Sequence, residues 1–131
     1  MKLRYLSVIL FLFFGGCSSK TINPKLQDIG DHYSCKTDCK KEWEMAHVWV
    51  MNHAVTPVSV ANDTIIQTKV QPNIISFGIN KVGNMIKMNM QSTNPFTLST
   101  GTFDEVPKSF YYFLKTGEDI YKPPFLATGI R

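Results

Sequence analysis

The sequence SCKTDCKKEWEMAHVWVMNHA, at positions 34–54, decides the helical part of the fold. Its apolar side chains recur at steps of three and four residues, the spacing that places side chains on one face of an α-helix. Ser34 can act as the helix N-cap, and Pro57 marks the end of the segment. The pattern therefore predicts one amphipathic helix over about residues 34–54. The residues predicted to share its buried face are Cys35, Cys39, Trp43, Ala46, Trp49 and Val50.

From residue 58 onward the apolar period changes from helical to two, which is typical of β-strands with one buried face. Residues 71–73 (QPN) predict a turn, and residues 81–84 (KVGN) predict a hairpin loop in which Gly83 or Asn84 takes a positive φ. We also predict strands at 96–98 (FTL) and 109–114 (SFYYFL), then an extended tail around Pro123 and Pro124. The alternating residues of the first three strands are Ile66, Thr68 and Val70, then Ile75, Phe77 and Ile79, then Ile86, Met88 and Met90.

A helix followed by several antiparallel strands is typical of an α+β domain. We predict one N-terminal helix packed on a small antiparallel β-sheet, as a single domain over residues 34–131. A small β-sandwich or barrel is the alternative. The polar residues 17–33, which are broken by Pro24 and Gly30, predict a tether in front of this domain.

The N-terminus has the three parts of an export signal. Lys2 and Arg4 give it a positive start, residues 5–14 (YLSVILFLFF) are apolar, and Gly15 and Gly16 precede Cys17. This apolar run is shorter than the roughly 20 residues that a transmembrane helix needs. The motif FFGGC, at positions 13–17, resembles the lipobox of bacterial lipoproteins. The resemblance implies that residues 1–16 are a signal peptide that is removed just before Cys17.

The resemblance also implies a membrane anchor, because lipoproteins carry fatty acyl chains such as palmitate on the cysteine that follows the signal. Several acyl chains give stable attachment, whereas one gives only marginal binding. In the sorting rule of many Gram-negative lipoproteins, an Asp after this cysteine retains the protein at the inner membrane. Ser18 stands there, so the resemblance implies the periplasmic face of the outer membrane. The alternative is an ordinary secretory signal that leaves a soluble protein.

The three cysteines of the chain leave one pair once Cys17 carries a lipid. Cys35 and Cys39 are four residues apart, which on a helix separates their Cα atoms by about 6 Å, within reach of a disulfide. An exported protein meets an oxidising compartment, where disulfides persist. We therefore predict a structural disulfide on the core side of the helix. A free or intermolecular pair, or a metal or redox site, is the alternative.

The charge and the ionisable side chains exclude several functions. Without Lys2 and Arg4 the 14 basic residues fall to 12, against 10 acidic ones, so the net charge is +2. These charges are scattered, which predicts no nucleic-acid partner because such binding usually needs a basic stripe. The chain has three histidines, His32, His47 and His53. The last two are six apart and so lie on different faces of a helix, which is not the spacing of a metal pair.

Three further groups of residues are weak candidates for a site. Met85, Met88 and Met90 have the soft thioethers that bind Cu(I), although methionine more often fills gaps in a core. The aromatic run 110–113 (FYYF) can stack against a ligand or form a buried strand. Asp104 and Glu105 form an acidic pair in a predicted loop, without the second carboxylate that a glycosidase places across its substrate. The sequence shows no catalytic constellation and predicts no cofactor.

These features favour a non-enzymatic lipoprotein that binds a protein partner or assists assembly in the cell envelope. Inhibitors and immunity proteins form a subclass of this prediction. Its partners would be the membrane, through the lipid, and an envelope protein of unknown identity. The alternative is a periplasmic lipoprotein that binds copper, at Met85, Met88 and Met90, or another small ligand. An enzyme is a third hypothesis, which no motif supports.

Overall fold

The computed structural model describes residues 23–93 and 100–121. The predicted signal peptide, Cys17, the strand at 96–98 and the tail around Pro123 and Pro124 lie outside the described residues. The helices are the 3-10 helix Pro24–Leu26, α1 (Lys40–His53) and α2 (Thr100–Thr116). The strands are β1 (Tyr33–Ser34), β2 (Val58–Ala61), β3 (Ile65–Thr68), β4 (Ser76–Val82) and β5 (Met85–Gln91).

The five strands form one antiparallel sheet in the order β1-β5-β4-β3-β2. Strands β2 to β5 follow one another as a meander. The short β1 adds to the free side of β5 through the pairs Tyr33–Ile86 and Ser34–Met85. The turn between β4 and β5 contains Gly83 at φ 59°, which confirms the predicted hairpin with its positive φ.

One face of the sheet is buried under both helices. The Trp49 ring of α1 lies 5.5 Å from the Phe77 ring of β4 and 5.2 Å from the Phe110 ring of α2, so the three elements share one core. The α+β fold with a helix packed on a small antiparallel sheet is therefore confirmed, with a second helix added. The buried strand residues on this face alternate as predicted and are Ile66, Thr68, Phe77, Ile79, Ile86 and Met88.

The first helix begins later than the sequence predicts. Cys39 has a left-handed backbone with φ 61°, and α1 begins at the next residue, Lys40. Asp38, rather than Ser34, accepts a hydrogen bond from the Lys40 N–H, at 3.2 Å. Ser34 belongs to β1, and Cys35 lies in the loop that follows. The predicted start and N-cap at Ser34 are wrong because pairing with β5 holds this part of the chain at the sheet edge.

Residues 109–114, which we predicted as a strand, lie in α2. The buried Val106, Phe110 and Leu114 are four residues apart, as on one face of a helix. A short apolar run does not distinguish a buried strand from a buried helix, and Pro107 inside the segment further obscured the helical pattern. The helix ends before Gly117, whose φ of 77° is typical of a helix C-terminus.

Residues 23–33, which we predicted as part of a tether, pack on the domain. Leu26 is only 3% exposed. The carbonyl of Asp31 accepts a hydrogen bond from the Tyr111 hydroxyl at 3.0 Å, and Lys25 forms an ion pair with Glu118 at 2.6 Å. The boundary at residue 34 is therefore wrong, since the folded domain already includes residue 23 onward. The polar composition of this segment did not reveal that it packs beside α2.

Candidate functional site

Cys35 and Cys39 form a disulfide with their Cα atoms 5.2 Å apart. The two residues are 5% and 0% exposed, so the bridge lies in the core as predicted, although in a loop rather than on a helix. It joins the end of β1 to the start of α1. The disulfide thus fixes the loop 36–38 at the surface of the domain.

Two further hydrogen bonds connect this loop region to the turns of the sheet. The Cys35 N–H donates to the carbonyl of Asn84, in the β4–β5 turn, at 2.7 Å. The Trp43 indole N–H, in the first turns of α1, donates to the carbonyl of Asn62 at 3.0 Å. Asn62 lies in the β2–β3 turn, where its side-chain oxygen also accepts from the N–H groups of Thr64 and Ile65 at 2.9 Å. The disulfide and these two hydrogen bonds therefore lie at the same end of the sheet.

Lys81 completes these connections. Its backbone N–H donates to the carbonyl of Thr64 at 2.8 Å, and its ammonium lies 5.1 Å from the centroid of the Trp43 ring. A cation over an indole face is an attractive contact, and at a partly exposed site it contributes about 0.5–1 kcal/mol. We call the surface formed by residues 36–40, 62–64 and 82–84 the disulfide end. Its loops are held by the disulfide and by hydrogen bonds to backbone groups.

The exposed side chains of the disulfide end carry both signs of charge. Lys36 and Lys40 alternate with Asp38, and Asp63 extends from the neighbouring turn. Val82 is 68% exposed and gives the surface one large apolar residue. Both signs of charge are present, so the disulfide end lacks the excess of positive charge that nucleic-acid binding needs.

The opposite end of the sheet holds residue 23 and the C-termini of both helices. We call residues 23–28, 51–57, 69–73 and 115–121 the Asn23 end. Glu118 accepts hydrogen bonds from the Lys25 ammonium at 2.6 Å and from the Tyr112 hydroxyl at 2.9 Å. These two bonds lower the pKa of the Glu118 carboxyl below its ordinary value, because they stabilise the charged form. They fasten the N-terminal segment to the end of α2.

A histidine that is paired with an aspartate lies beside Glu118. His53 Nε2 is 2.5 Å from Asp119 Oδ2, and the imidazole packs against Trp49 and Tyr121 with ring centroids 4.6 and 4.5 Å away. Burial raises the pKa of the Tyr121 hydroxyl to about 12. A carboxylate that orients a histidine is part of a catalytic triad, but the triad also needs a nucleophile. None of the contacts described for His53 is with a serine, cysteine or threonine.

The remaining histidines lie apart from this pair. His32 is paired with Asp31 at 2.7 Å on the surface, and His47 stacks edge-on with Trp43 at 5.7 Å. Within residues 23–93 and 100–121, no group of three or more His, Cys, Asp or Glu side chains is placed to hold a metal ion. The structure therefore does not bring the three histidines together.

The three methionines of the copper alternative point to different faces of the sheet. Met88 and Met90 pair with Ile79 and Phe77, and they lie on the face that the helices cover. Met85 is an odd number of residues away and so lies on the opposite face. Met88 is only 4% exposed. The three thioethers thus do not form a single set of ligands.

Two other candidates from the sequence have structural positions in α2. Phe110 and Tyr111 are 0% and 1% exposed, so they belong to the core and offer no stacking surface. Asp104 and Glu105 lie in the helix and not in the predicted loop. Tyr112, in the same aromatic run, contacts the N-terminal segment, with the Lys25 ammonium 5.8 Å from the centroid of its ring.

The uncovered face of the sheet carries uncharged polar groups around a shallow depression. Gln67, Gly78 and Asn89 lie side by side across β3, β4 and β5. Together with neighbouring residues they line about 220 Å³ of space that is partly open to solvent. Gly78 has no side chain to fill it, and a Cβ there would meet only the Asn89 carbonyl, at 3.9 Å. The depression is small and lies at the other face from the aromatic core.

No family model, curated protein or solved structure matches the chain. In the part of the chain that the structure describes, no helix is both long enough and apolar enough to cross a membrane. The disulfide end is therefore defined by its own geometry, without a relative for comparison.

The sequence did not reveal the disulfide end as a surface. It predicted the cysteine pair and the hairpin turn separately, and both are present. The Cys35 N–H joins the two through its hydrogen bond to the Asn84 carbonyl. The contacts from Trp43 to Asn62 and from Lys81 to Thr64 add the β2–β3 turn, and all three contacts join residues that are 17 or more positions apart. No periodic pattern signals such contacts, because each residue looks like an ordinary core or surface position in its own segment.

Proposed function

We propose that this chain is an exported lipoprotein, anchored through Cys17, that binds a protein partner in the cell envelope with its disulfide end. The observation that carries the proposal is the position of that end. It is a surface of three connected loops at the end of the sheet opposite Asn23, the described residue nearest to Cys17 in the sequence. An anchored domain meets its partner most freely with the surface farthest from the anchor.

The N-terminal residues support the anchor. A positive start, ten largely apolar residues and the motif FFGGC precede the domain. A buried disulfide fits an oxidising compartment such as the periplasm, where such bonds persist. The serine after Cys17 favours the periplasmic face of the outer membrane.

The rigidity of the disulfide end supports a binding role. Ordering a loop on association costs about 0.5–1.5 kcal/mol for each flexible side chain that is immobilised, in addition to the backbone entropy. A loop that is already held by a disulfide and by backbone hydrogen bonds avoids part of this loss. The mixed charges of Lys36, Asp38 and Asp63 provide orientation rather than bulk attraction. Inhibitors and immunity proteins are one subclass of this proposal.

Fractionation tests the anchor directly. Cys17→Ser removes the thiol that accepts the lipid, so the variant should leave the membrane fraction and appear in the soluble periplasm. Ser18→Ala, next to it, is the matched control and should stay with the membranes. Membrane retention of the Cys17→Ser variant would contradict the anchor.

Site-specific photo-crosslinking tests the binding surface. A photoreactive phenylalanine analogue is placed at Asn84, in the disulfide end, or at Asn89, on the open face of the same β-hairpin. Both asparagines are exposed, so the pair is matched in residue type and accessibility. We expect a single protein adduct from Asn84 in living cells and none from Asn89. An adduct from Asn89 alone would assign the partner to the open sheet face instead.

A further inference from the structure

The Asn23 end carries a group of exposed apolar side chains. Met51 and Val55 lie at the C-terminal end of α1 and are 72% and 61% exposed, and Val70, just after β3, is 45% exposed. Val48, one turn before Met51 in α1, is 53% exposed. Single exposed apolar residues are ordinary, but several large ones at one end of a small domain mark an interaction surface.

A continuous series of contacts places these residues beside Asn23, the first residue that the structure describes. Lys25, two residues after Asn23, pairs with Glu118, and the next residue, Asp119, pairs with His53 at the end of α1. Val55 follows His53 by two residues. Asn23 and the C-terminal end of α1 are therefore at the same end of the fold.

The neighbouring hydrogen bonds bring Val70 to the same place. The Thr56 hydroxyl donates to the Lys69 carbonyl at 2.7 Å, and the Lys69 N–H donates to the Pro57 carbonyl at 2.8 Å. These bonds join the segment after α1 to the end of β3. Val55 and Val70 are the exposed apolar residues that flank the two bonded partners.

The length of the linking chain limits how far this end can be from a lipid anchor. Five residues lie between Cys17 and Asn23, so six Cα–Cα steps join them. An extended chain spans at most about 3.3–3.6 Å per residue, so the reach is about 20 Å. Helix α1 runs between the two ends of the domain and, with 14 residues, is about 21 Å long. Asn23 therefore stays within about 20 Å of the lipid anchor. This distance is similar to the length of α1, so the surfaces of the two ends decide which of them faces the bilayer.

The charges of the Asn23 end are compatible with a lipid surface. Of its three acidic residues, Glu118 is paired with Lys25, Asp119 is hydrogen-bonded to His53, and Asp28 is exposed. Lys69 and Lys115 are exposed, and lysines near anionic headgroups are attracted to them. Apolar side chains beside lysines are the composition of segments that lie in a membrane interface.

We infer that Met51, Val55 and Val70 insert into the lipid headgroup region, so that the domain lies on the bilayer by its Asn23 end and presents its disulfide end to the periplasm. This inference rests on the proposed lipidation of Cys17. Three apolar side chains bind a membrane weakly by themselves. The anchor supplies the high local concentration that makes such weak contacts effective.

Two valine-to-cysteine variants test the inference. With Cys17 acylated and Cys35 bonded to Cys39, an introduced cysteine is the one free thiol of the processed protein. Val55→Cys probes the Asn23 end, and Val82→Cys, at a valine of similar exposure in the disulfide end, is the matched control. Each processed full-length variant is labelled with a polarity-sensitive fluorophore and reconstituted into vesicles of phosphatidylethanolamine and phosphatidylglycerol.

We expect the label at position 55 to shift to shorter emission wavelength on reconstitution and to be quenched several-fold more by headgroup nitroxide lipids than the label at position 82. Iodide in the buffer should show the reverse order. Co-flotation of protein with vesicles is measured first, and its absence contradicts the proposed anchor itself. Co-flotation with both labels equally open to iodide would overturn the docking and leave the anchor intact.

A third variant, Cys17→Ser with the label at position 55, separates the lipid surface from other occupants. Without an anchor this label should be open to iodide. If it is shielded at every protein concentration, the chain itself covers the apolar residues. If it is shielded only at high concentration, a second copy covers them, and either result overturns the assignment to lipid.

Discussion

Replacing Tyr111 by phenylalanine should lower the free energy of unfolding by about 2–3 kcal/mol, although it removes only one oxygen atom. The Tyr111 hydroxyl accepts a hydrogen bond from the buried N–H of Met88 at 2.8 Å and donates to the carbonyl of Asp31 at 3.0 Å. It thus occupies the place of a strand partner beside β5, beyond the reach of the short β1. The side chain is only 1% exposed, so water cannot easily replace it.

The magnitude follows from the two bonds. The Met88 N–H would remain buried without a partner, and an unsatisfied buried donor costs about 1–3 kcal/mol. Asp31 is exposed, so its carbonyl can bind water and its loss contributes less, about 0.5–1 kcal/mol. The phenyl ring is retained, so no cavity forms. For a domain of this size the loss corresponds to a decrease in Tm of roughly 10 °C.

Urea denaturation, followed by tryptophan fluorescence, measures the effect. Tyr112→Phe is the matched control, because the Tyr112 hydroxyl donates to Glu118 on the surface and its loss should cost less than about 0.5 kcal/mol. Amide exchange at Met88 should also become faster in the Tyr111 variant. If the two phenylalanine variants were equally stable, the bonding of residues 23–33 to the core through Tyr111 would be refuted.

Three further predictions concern other parts of the domain. Replacing Cys35 and Cys39 together by serine should lower the free energy of unfolding by about 2 kcal/mol, the entropy of closing a five-residue loop. In the native protein both cysteines should resist alkylation until they are reduced. Labelling of the unfolded, unreduced protein would contradict the disulfide. Leu26→Ala should cost about 2–3 kcal/mol because Leu26 is buried. Gln27→Ala beside it should change the stability by less than about 0.5 kcal/mol. The pKa of Tyr121 is raised from 10.0 to about 12, so the folded state keeps the phenol proton to a higher pH than the unfolded state does. The stability that the protonated Tyr121 contributes is therefore complete below pH 10 and is lost as the pH rises through 12. Ultraviolet titration should show a tyrosine step near that pH that disappears in Tyr121→Phe.

Several features followed from the sequence because they depend on neighbouring residues. A period of two predicted the strands that the structure forms at 65–68, 76–82 and 85–91. The order Lys-Val-Gly-Asn predicted the β4–β5 turn, since glycine takes a positive φ without a steric penalty. The bridge between Cys35 and Cys39 was predicted from the cysteine count, the export signal and a helical spacing. The bridge is present, but the helical spacing was wrong because both residues precede α1.

Other features depended on contacts between distant residues. The apolar run at 109–114 suits a buried strand or a buried helix, and it forms α2 because Phe110 packs on Trp49 and Tyr111 completes the edge of β5. The polar segment 23–33 resembles a tether until its one apolar anchor, Leu26, and the ion pair of Lys25 with Glu118 hold it in place. Local composition does not encode these pairings.

The division between the two ends of the domain was likewise a result of the tertiary structure. The sequence determined a disulfide, a hairpin turn and the segment that resembles a lipoprotein signal. Only the folded chain placed the disulfide with the β2–β3 and β4–β5 turns at one end of the sheet, and Asn23 with Met51, Val55 and Val70 at the other. The physical reason is that an antiparallel meander sends successive turns to alternate ends, so residues far apart in the chain meet where no local pattern records their proximity.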